Sequence, residues 1–312
     1  MSLISSLPNR APVVAAWGMG VDSTAMIIEL VARGEAPDIV LTADTGAENP
    51  LTYEFLPVFQ RWMDAHGVEH HVVRYQPKRF KHWPPYRTIL ENILTNATLP
   101  SISMGGPRRG SCSSKWKREP QDKWVAGWAP AQAAWAAGRR VTKLIGYDIS
   151  PADTRRSLHA NTLDDPLYDF VYPLREWEWD RARCEERIRQ AGLPVPPKSS
   201  CFICLAMRPE EIMALPPWCL RLIVLVEARA KPRLRTVEGI WKSSTRTRPG
   251  MVTDFIRAKH LLDPAEIDDI VANAPLDLVR FQEVAALIPI EDRPEMREWL
   301  DSFNAGITAL AA

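Results

Sequence analysis

The amino-acid sequence predicts an α/β fold, a doubly wound parallel sheet with a helical C-terminal extension. Apolar runs at residues 13–17 and 38–43 are typical of buried strands, and each is followed by a helical pattern. Residues 68–75 alternate well enough for a third strand, and the second helix is expected to begin near Pro50. This β-α-β-α-β order favours a parallel sheet with helices on both faces.

The composition limits the class of protein. The chain has 312 residues, 46% of them hydrophobic, and a formal net charge of +1. We find no window of transmembrane length and no basic segment ahead of the first apolar stretch, and therefore expect a soluble cytoplasmic protein without a membrane partner. In that compartment five cysteines favour metal binding, catalysis or burial over disulfides.

A glycine turn joins the first strand to the first helix. Residues 18–20 read Gly-Met-Gly, and residues 22–24 read Asp-Ser-Thr at the start of a helical pattern. Such a turn presents backbone N–H groups and the positive end of a helix dipole to an anion. A Walker loop needs Lys where Asp22 stands, and a dinucleotide fingerprint needs Gly where Ser23 stands. An ordinary strand–turn–helix is the alternative interpretation.

The turn resembles the S-G-G-x-D-S signature of the PP-loop superfamily, whose members cleave ATP between its α and β phosphates. It departs from that signature at Gly18 and Met19, so one hydroxyl donor is missing. Residues 43–48, Ala-Asp-Thr-Gly-Ala-Glu, are similar to the D-T-G segment of the phosphoadenosine-phosphosulfate (PAPS) reductase branch. The resemblance implies an adenine nucleotide alpha hydrolase-like domain over residues 1–208, with a helical region over 209–312.

The resemblance also implies ATP and Mg²⁺ at the carboxyl ends of the strands. Asp44 would accept from a ribose hydroxyl or hold Mg²⁺, and a turn or helix cap is its alternative role. The residues predicted to bind ATP are Gly18, Met19, Gly20, Asp22, Ser23, Thr24, Asp44, Thr45, Gly46 and Gly146. The residues predicted to be catalytic are Asp22, Ser23, Lys115 and Arg155. For Arg155 and its neighbour Arg156, surface salt bridges are the alternative to phosphate contact.

Four cysteines form a possible metal site. Cys201 and Cys204 make a C-x-x-C pair, and Cys112 follows a basic stretch, which lowers a thiol pKa when the thiol is exposed. With Cys184 they would supply four thiolates, a set that suits [4Fe–4S] or structural Zn²⁺. Sulfur-handling relatives favour the iron–sulfur cluster. Cys219 is predicted to be a buried apolar residue.

Residues 78–118 are locally basic, with Trp83 and Tyr86 among the charges. This mixture is typical of a nucleic-acid path, although a solvated face or a clamp on ATP phosphates would look the same. An arginine-rich turn at residues 242–250 is a further candidate for contact with a polyanion.

The resemblance implies an ATP-dependent sulfur-transfer enzyme that adenylates its substrate. A nucleic acid, as in tRNA thiolases, is the candidate substrate. A cysteine desulfurase or sulfide would donate the sulfur, and a homodimer is the candidate oligomer. A PAPS or adenylylsulfate reductase is a second hypothesis, which the absence of any cysteine after Cys219 disfavours. A nucleotide-binding regulator without turnover is a third.

Overall fold

The computed structural model describes residues 11–76, 86–100, 112–161, 164–289 and 292–310. The strands are β1 (Val13–Ala16), β2 (Ile39–Asp44), β3 (His70–Arg74), β4 (Val141–Ile145) and β5 (Tyr168–Val171). The helices up to residue 190 are α1 (Val21–Ala32), α2 (Pro50–Ala65), α3 (Ile89–Thr95), α4 (Glu119–Ala126), α5 (Ala129–Ala136), α6 (Pro151–Asn161), α7 (Pro173–Glu176) and α8 (Arg181–Gln190). The later helices are α9 (Pro209–Met213), α10 (Pro217–Ala230), α11 (Val252–Ala258), α12 (Pro264–Ala286) and α13 (Met296–Leu310).

The five strands form one sheet in the order β3-β2-β1-β4-β5. Strand β1 pairs in parallel with β2 and with β4, and β4 pairs in parallel with β5. Strands β2 and β3 therefore extend the sheet from β1 to one edge, and β4 and β5 extend it from β1 to the other edge. This confirms the predicted doubly wound fold, and it makes the carboxyl ends of β1 and β4 a topological switch point.

Helices cover both faces of the sheet, which explains the continuous apolar runs. Val13, Val14 and Ala15 of β1 are fully buried, as a strand between two helical layers requires. On one face Val13 and Ala15 belong to a core with helices α1, α2 and α8, and on the other Val14 packs with residues of β2, β4 and α5.

Local signals set the boundaries of the first two helices, and the predicted start of the second near Pro50 is confirmed. Helix α2 begins at Pro50, and the Asn49 side chain caps it by accepting from the Leu51 N–H at 3.0 Å. Helix α1 ends one residue before Arg33, and Gly34 then takes φ +70° as the left-handed residue after the helix.

The chain forms two compact units that interleave along the sequence. The first unit comprises residues 1–44, 48–73 and 117–199 and contains nearly all of the sheet. The second comprises residues 45–47, 74–116 and 200–312, and the apolar helix α10 lies at the centre of its core. The boundary predicted at residue 208 stays a prediction.

No helix in the described ranges is long and apolar enough to cross a membrane.

Candidate functional site

A cleft of about 610 Å³ lies in the first unit, at the carboxyl ends of β1 and β4. It therefore occupies the switch point, where open parallel sheets bind their ligands. The residues that line it come from the glycine turn, from the end of β4 and the segment that follows it, and from several helices. They are Ala16, Gly18, Gly20, Asp22, Ser23, Lys117, Gln121, Ile145, Gly146, Tyr147, Asp148, Ser150, Asp153, Arg156, Arg181, Lys198 and Ser199.

The glycine turn is braced by Ser23. The Gly18 N–H donates to Ser23 Oγ at 3.2 Å, and Ser23 Oγ donates to the Gly20 carbonyl at 3.4 Å. Between them Met19 takes φ +59° and buries its side chain almost completely. Gly20 precedes α1 and supplies no side-chain cap, so the first N–H groups of the helix remain open to a ligand.

Two glycines keep the cleft free of side chains where backbones approach closely. A β-carbon on Gly146 would lie 2.7 Å from both the nitrogen and the Cα of Ser23. A β-carbon on Gly20 would lie 2.6 Å from the Ser199 hydroxyl. At Gly146 a larger residue would move the start of α1, because the atoms it would meet belong to the backbone; at Gly20 it would displace only the Ser199 hydroxyl.

Asp22 is an acid of the cleft with a raised pKa. Its carboxyl has a pKa of about 6, which results chiefly from burial and also from the nearby carboxylates of Asp148 and Asp153, while Arg181 lowers it. The Arg181 Nη1 lies 3.3 Å from Asp22 Oδ2. A cation entering the cleft would therefore favour ionised Asp22.

The two other acids are held by the segment after β4. Asp148 and Asp153 are both buried, and Asp148 Oδ1 accepts from the Ser150 N–H at 2.8 Å. Asp153 Oδ1 pairs with Arg156 Nη1 at 2.7 Å. Carboxylate oxygens such as these are the ligands that Mg²⁺ prefers.

Cations line the same cleft. Lys117 Nζ pairs at 2.9 Å with Glu48, a carboxylate that is fully buried, and Lys198 and Arg181 also line the cleft. Since the cleft combines these three and Arg156 with an open helix N-terminus, it suits a polyanion such as a triphosphate.

An aromatic pair lies beside Gly146. Tyr147 lines the cleft and stacks on Tyr172, with ring centroids 5.5 Å apart and planes 6° apart. A ring fixed in this way can form one wall for a planar ligand group.

The structure brings together part of the predicted site. Gly18, Gly20, Asp22, Ser23 and Gly146 all line the cleft. Thr24 instead points into the core, where its hydroxyl accepts from the Trp17 indole N–H at 2.9 Å. Asp44 is buried and accepts from the Tyr53 hydroxyl at 2.6 Å. Arg155 is exposed outside the cleft, whereas Arg156 lines it.

Three of the predicted residues belong to the second unit. Thr45 Oγ1 lies 3.3 Å from Cys201 Sγ, and Gly46 takes φ +72° beside Thr88. Lys115 lines another cleft, described below. The roles predicted for all of these residues stay predictions.

The cysteines divide between the units. Cys112, Cys201 and Cys204 are partly buried against the core of the second unit. Cys184 is fully buried in the core of the first unit, where burial raises the pKa of its thiol. No three His, Cys, Asp or Glu side chains in the described part of the chain are placed to hold a metal ion. Cys219 is fully buried, as predicted.

Sequence reasoning did not assign Tyr147, Asp153, Arg181 and Lys198 to a site. Arg181 and Lys198 are distant from the glycine turn in sequence, and only the packing of the first unit brings them to one cleft. A local signal existed for Tyr147, since it follows Gly146 at the end of a predicted central strand.

Searches of protein-family models and of curated proteins gave no match. Among solved structures the chain is similar to a phosphoadenylyl-sulfate (PAPS) reductase from Candida auris, solved as a phosphate complex, with 16% identity over 62% of this chain and 78% of that one and a TM-score of 0.35. It is also similar to the U34-tRNA thiolase NcsA from Methanococcus maripaludis with its [4Fe-4S] cluster, with 15% identity over 86% of this chain and 73% of that one and a TM-score of 0.41.

Proposed function

We propose that the protein binds ATP with Mg²⁺ in the cleft of the first unit and cleaves it between the α and β phosphates to adenylate a substrate. Sulfur then replaces the adenylated oxygen of that substrate. One observation carries the proposal. An open helix N-terminus lies at the topological switch point, with Gly146 packed against it and basic side chains around it.

The described residues suit the parts of the nucleotide. The first N–H groups of α1 and the hydroxyl of Ser23 would bind phosphate oxygens, and Lys198 and Arg181 would neutralise the pyrophosphate. Asp148 and Asp153 would hold Mg²⁺ directly or through water, and Asp22 would ionise as the cation approaches. Tyr147 would form one wall of the adenine site.

The reaction would have two steps. A substrate oxygen attacks the α-phosphorus, its bond to phosphorus forms, and pyrophosphate leaves with the electrons of the broken bond. A sulfur nucleophile then attacks the activated carbon, and AMP leaves with the former substrate oxygen. The cations of the cleft stabilise charge that develops on the leaving pyrophosphate. Sulfide would supply the sulfur directly. A cysteine desulfurase would supply it as a persulfide, whose S–S bond a thiol must reduce after the attack to release the product.

A thiolate-bound metal centre is a second hypothesis, separate from ATP cleavage. Cys112, Cys201 and Cys204 have the right chemistry for [4Fe–4S] or Zn²⁺ and share one unit. Burial of Cys184 with a raised pKa disfavours it as the fourth thiolate. Since the described residues form no metal-binding group, no step above depends on the centre.

The substrate is proposed to be a nucleic acid, and a cytoplasmic homodimer is the proposed setting. The runner-up function is a PAPS or adenylylsulfate reductase. A regulator that binds ATP without turnover would keep the cleft and lack pyrophosphate release.

Pyrophosphate release from ATP, measured with and without nucleic acid, tests the proposal. We expect release by the wild type and a loss of about tenfold or more in Lys198→Ala and Arg181→Ala, since a charged hydrogen bond contributes roughly 1.5–3 kcal/mol. Arg189→Ala is the control, because Arg189 lies on α8 with Arg181, is exposed, and does not line the cleft. ATP binding without pyrophosphate release would favour the regulator, and no ATP binding would contradict both readings.

A further inference from the structure

The second unit has a cleft of its own, of about 510 Å³. Three cationic residues line it, Lys115, Arg233 and Arg235, and none of its described lining residues is acidic. Such an unbalanced set of charges favours an anionic ligand.

Backbone carbonyls orient the two arginines. Arg233 Nη1 donates to the Asn96 carbonyl at 2.7 Å, and Arg235 Nη1 donates to the Pro232 and Leu234 carbonyls, each at 3.1 Å. Neither arginine forms a salt bridge with a carboxylate of the described residues. Their charge is therefore uncompensated, and the remaining N–H donors of each guanidinium suit phosphate oxygens.

Aromatic rings position Lys115. Its Nζ lies 5.0 Å from the ring centroid of Tyr75, 5.4 Å from that of Tyr86 and 4.9 Å from that of Trp116. Cation–π attraction to three rings holds the ammonium group in place. Tyr86 also lines the cleft and is only half-buried, so the same residue offers an aromatic surface to a ligand.

A buried amide completes the site. Asn92 is 5% exposed and lines the cleft, and its side-chain amide makes no hydrogen bond within the described residues. Its amide atoms reach the space of the cleft, so a polar ligand atom can bond to them in place of water. This is the observation that distinguishes the cleft from an ordinary basic surface.

We infer that the second-unit cleft binds a single-stranded nucleic acid, with its phosphates on Arg233, Arg235 and Lys115 and one base stacked on Tyr86. Stacking requires an unpaired base, which excludes the interior of a duplex. The basic residues Lys78, Arg79, Lys81, Arg108 and Arg109 lie outside the described residues and form no part of this site. The inference rests on the proposed function for its biological role, since it locates where the nucleic-acid substrate is held.

Fluorescence anisotropy with labelled single strands of about a dozen nucleotides, one RNA and one DNA, tests the inference at salt concentrations between about 50 and 200 mM. We expect the double variant Arg233→Ala/Arg235→Ala to bind about tenfold more weakly and to lose about two from the slope of log K against log salt, one for each phosphate contact. Tyr86→Leu should weaken binding about fivefold or more, and Tyr86→Phe should retain it, because the ring and not the hydroxyl stacks.

The control is Arg257→Ala/Arg297→Ala, which removes the same charge from exposed positions of the second unit outside the cleft. Equal weakening in the control and the cleft variant would overturn the inference, and so would the absence of binding by the wild type. Displacement of the strand by inorganic phosphate at matched ionic strength would also overturn it, because it would indicate a site for a small anion. If the wild type binds the strand but releases no pyrophosphate, the proposed function is contradicted and the inference is supported. If it releases pyrophosphate but does not bind the strand, the inference is contradicted and the proposed function is supported.

Discussion

Gly146 lies directly against Ser23, and a β-carbon on Gly146 would come within 2.7 Å of the Ser23 backbone nitrogen. That nitrogen belongs to the first turn of α1, whose N–H groups open into the cleft. The end of β4 therefore fixes the position of the helix end that we propose binds phosphate.

Gly146→Ala should consequently impair ATP binding more than it impairs folding. The new methyl group meets backbone atoms, so α1 or β4 must shift by several tenths of an ångström and the phosphate contacts lose their alignment. We predict that the dissociation constant for ATP, measured by calorimetry, rises about tenfold or more.

Gly127→Ala is the matched control. Gly127 follows α4 in the same unit with φ −88°, a conformation that alanine adopts, and a β-carbon there would meet only the Trp124 carbonyl at 3.4 Å. Equal losses in both variants would show that the contact between Gly146 and Ser23 has no particular role.

The raised pKa of Asp22 predicts a pH-dependent gain in stability for Asp22→Asn. The pKa rises from 3.8 to about 6 on folding, so the native state binds more protons than the unfolded state between these values. Ionised Asp22 is therefore unfavourable to folding, and the stability of the wild type loses this contribution as the pH rises through that window.

We expect the free energy of unfolding of Asp22→Asn to equal that of the wild type near pH 4, within error. The variant should gain on the order of 2 kcal/mol by pH 7, measured by urea unfolding without ATP or Mg²⁺. A difference that does not change with pH would show that Asp22 ionises normally in the folded protein.

We predict that the second unit needs both acceptor oxygens of the buried Glu227 side chain for its stability. Glu227 is fully buried in α10 and accepts from the N–H groups of Ile240, Val252 and Thr253 and from the Thr253 hydroxyl. Glu227→Gln places an NH₂ group where one of these donors points. It should therefore lower the free energy of unfolding by about 2 kcal/mol, measured by urea titration.

Glu283→Gln is the control for that measurement. Glu283 is an exposed carboxylate on α12 of the same unit, so the same chemical change there should alter the unfolding midpoint little. If Glu227→Gln is as stable as this control, the hydrogen bonds to Glu227 do not hold the segment from Ile240 to Thr253.

Iron content tests the cysteine hypothesis. After anaerobic purification we predict bound iron and absorption at about 400 nm, with iron lost in Cys112→Ala, Cys201→Ala and Cys204→Ala. Cys184→Ala should retain its iron, because a buried thiol with a raised pKa resists becoming a thiolate ligand.

Cys219→Ala is the reference variant, since Cys219 is fully buried in the core of the second unit. Loss of iron in Cys184→Ala but not in Cys219→Ala would support the four-thiolate set and contradict the argument from burial. Zinc in place of iron would support the alternative metal.

The sequence predicted the parts of the fold whose signals are local. The apolar run of β1, the glycine turn and the start of α2 at Pro50 each depend on neighbours in the chain, and the structure has them where expected. The family resemblance also predicts Gly146 near a nucleotide; the structure has Gly146 in the cleft at the end of β4, and the nucleotide stays a prediction.

The rest of the site depends on contacts between distant segments. Arg181 reaches Asp22 from a helix that begins about 160 positions later in the chain, and no periodicity encodes that meeting. The sequence also did not predict that the Thr24 side chain points into the core. It does so because the buried Trp17 indole N–H needs an acceptor, and the Thr24 hydroxyl supplies it. Lys115 is a third case. The sequence did not predict that Lys115 belongs to the second unit, where it lines the second-unit cleft.

The products formed from ATP test the central claim most directly. The wild type is incubated with Mg²⁺ and ATP labelled at the α-phosphate, with nucleic acid present, and the labelled products are separated. Cleavage between the α and β phosphates predicts labelled AMP or an AMP adduct together with pyrophosphate. Labelled ADP with inorganic phosphate, or unchanged ATP under every condition, would contradict the account.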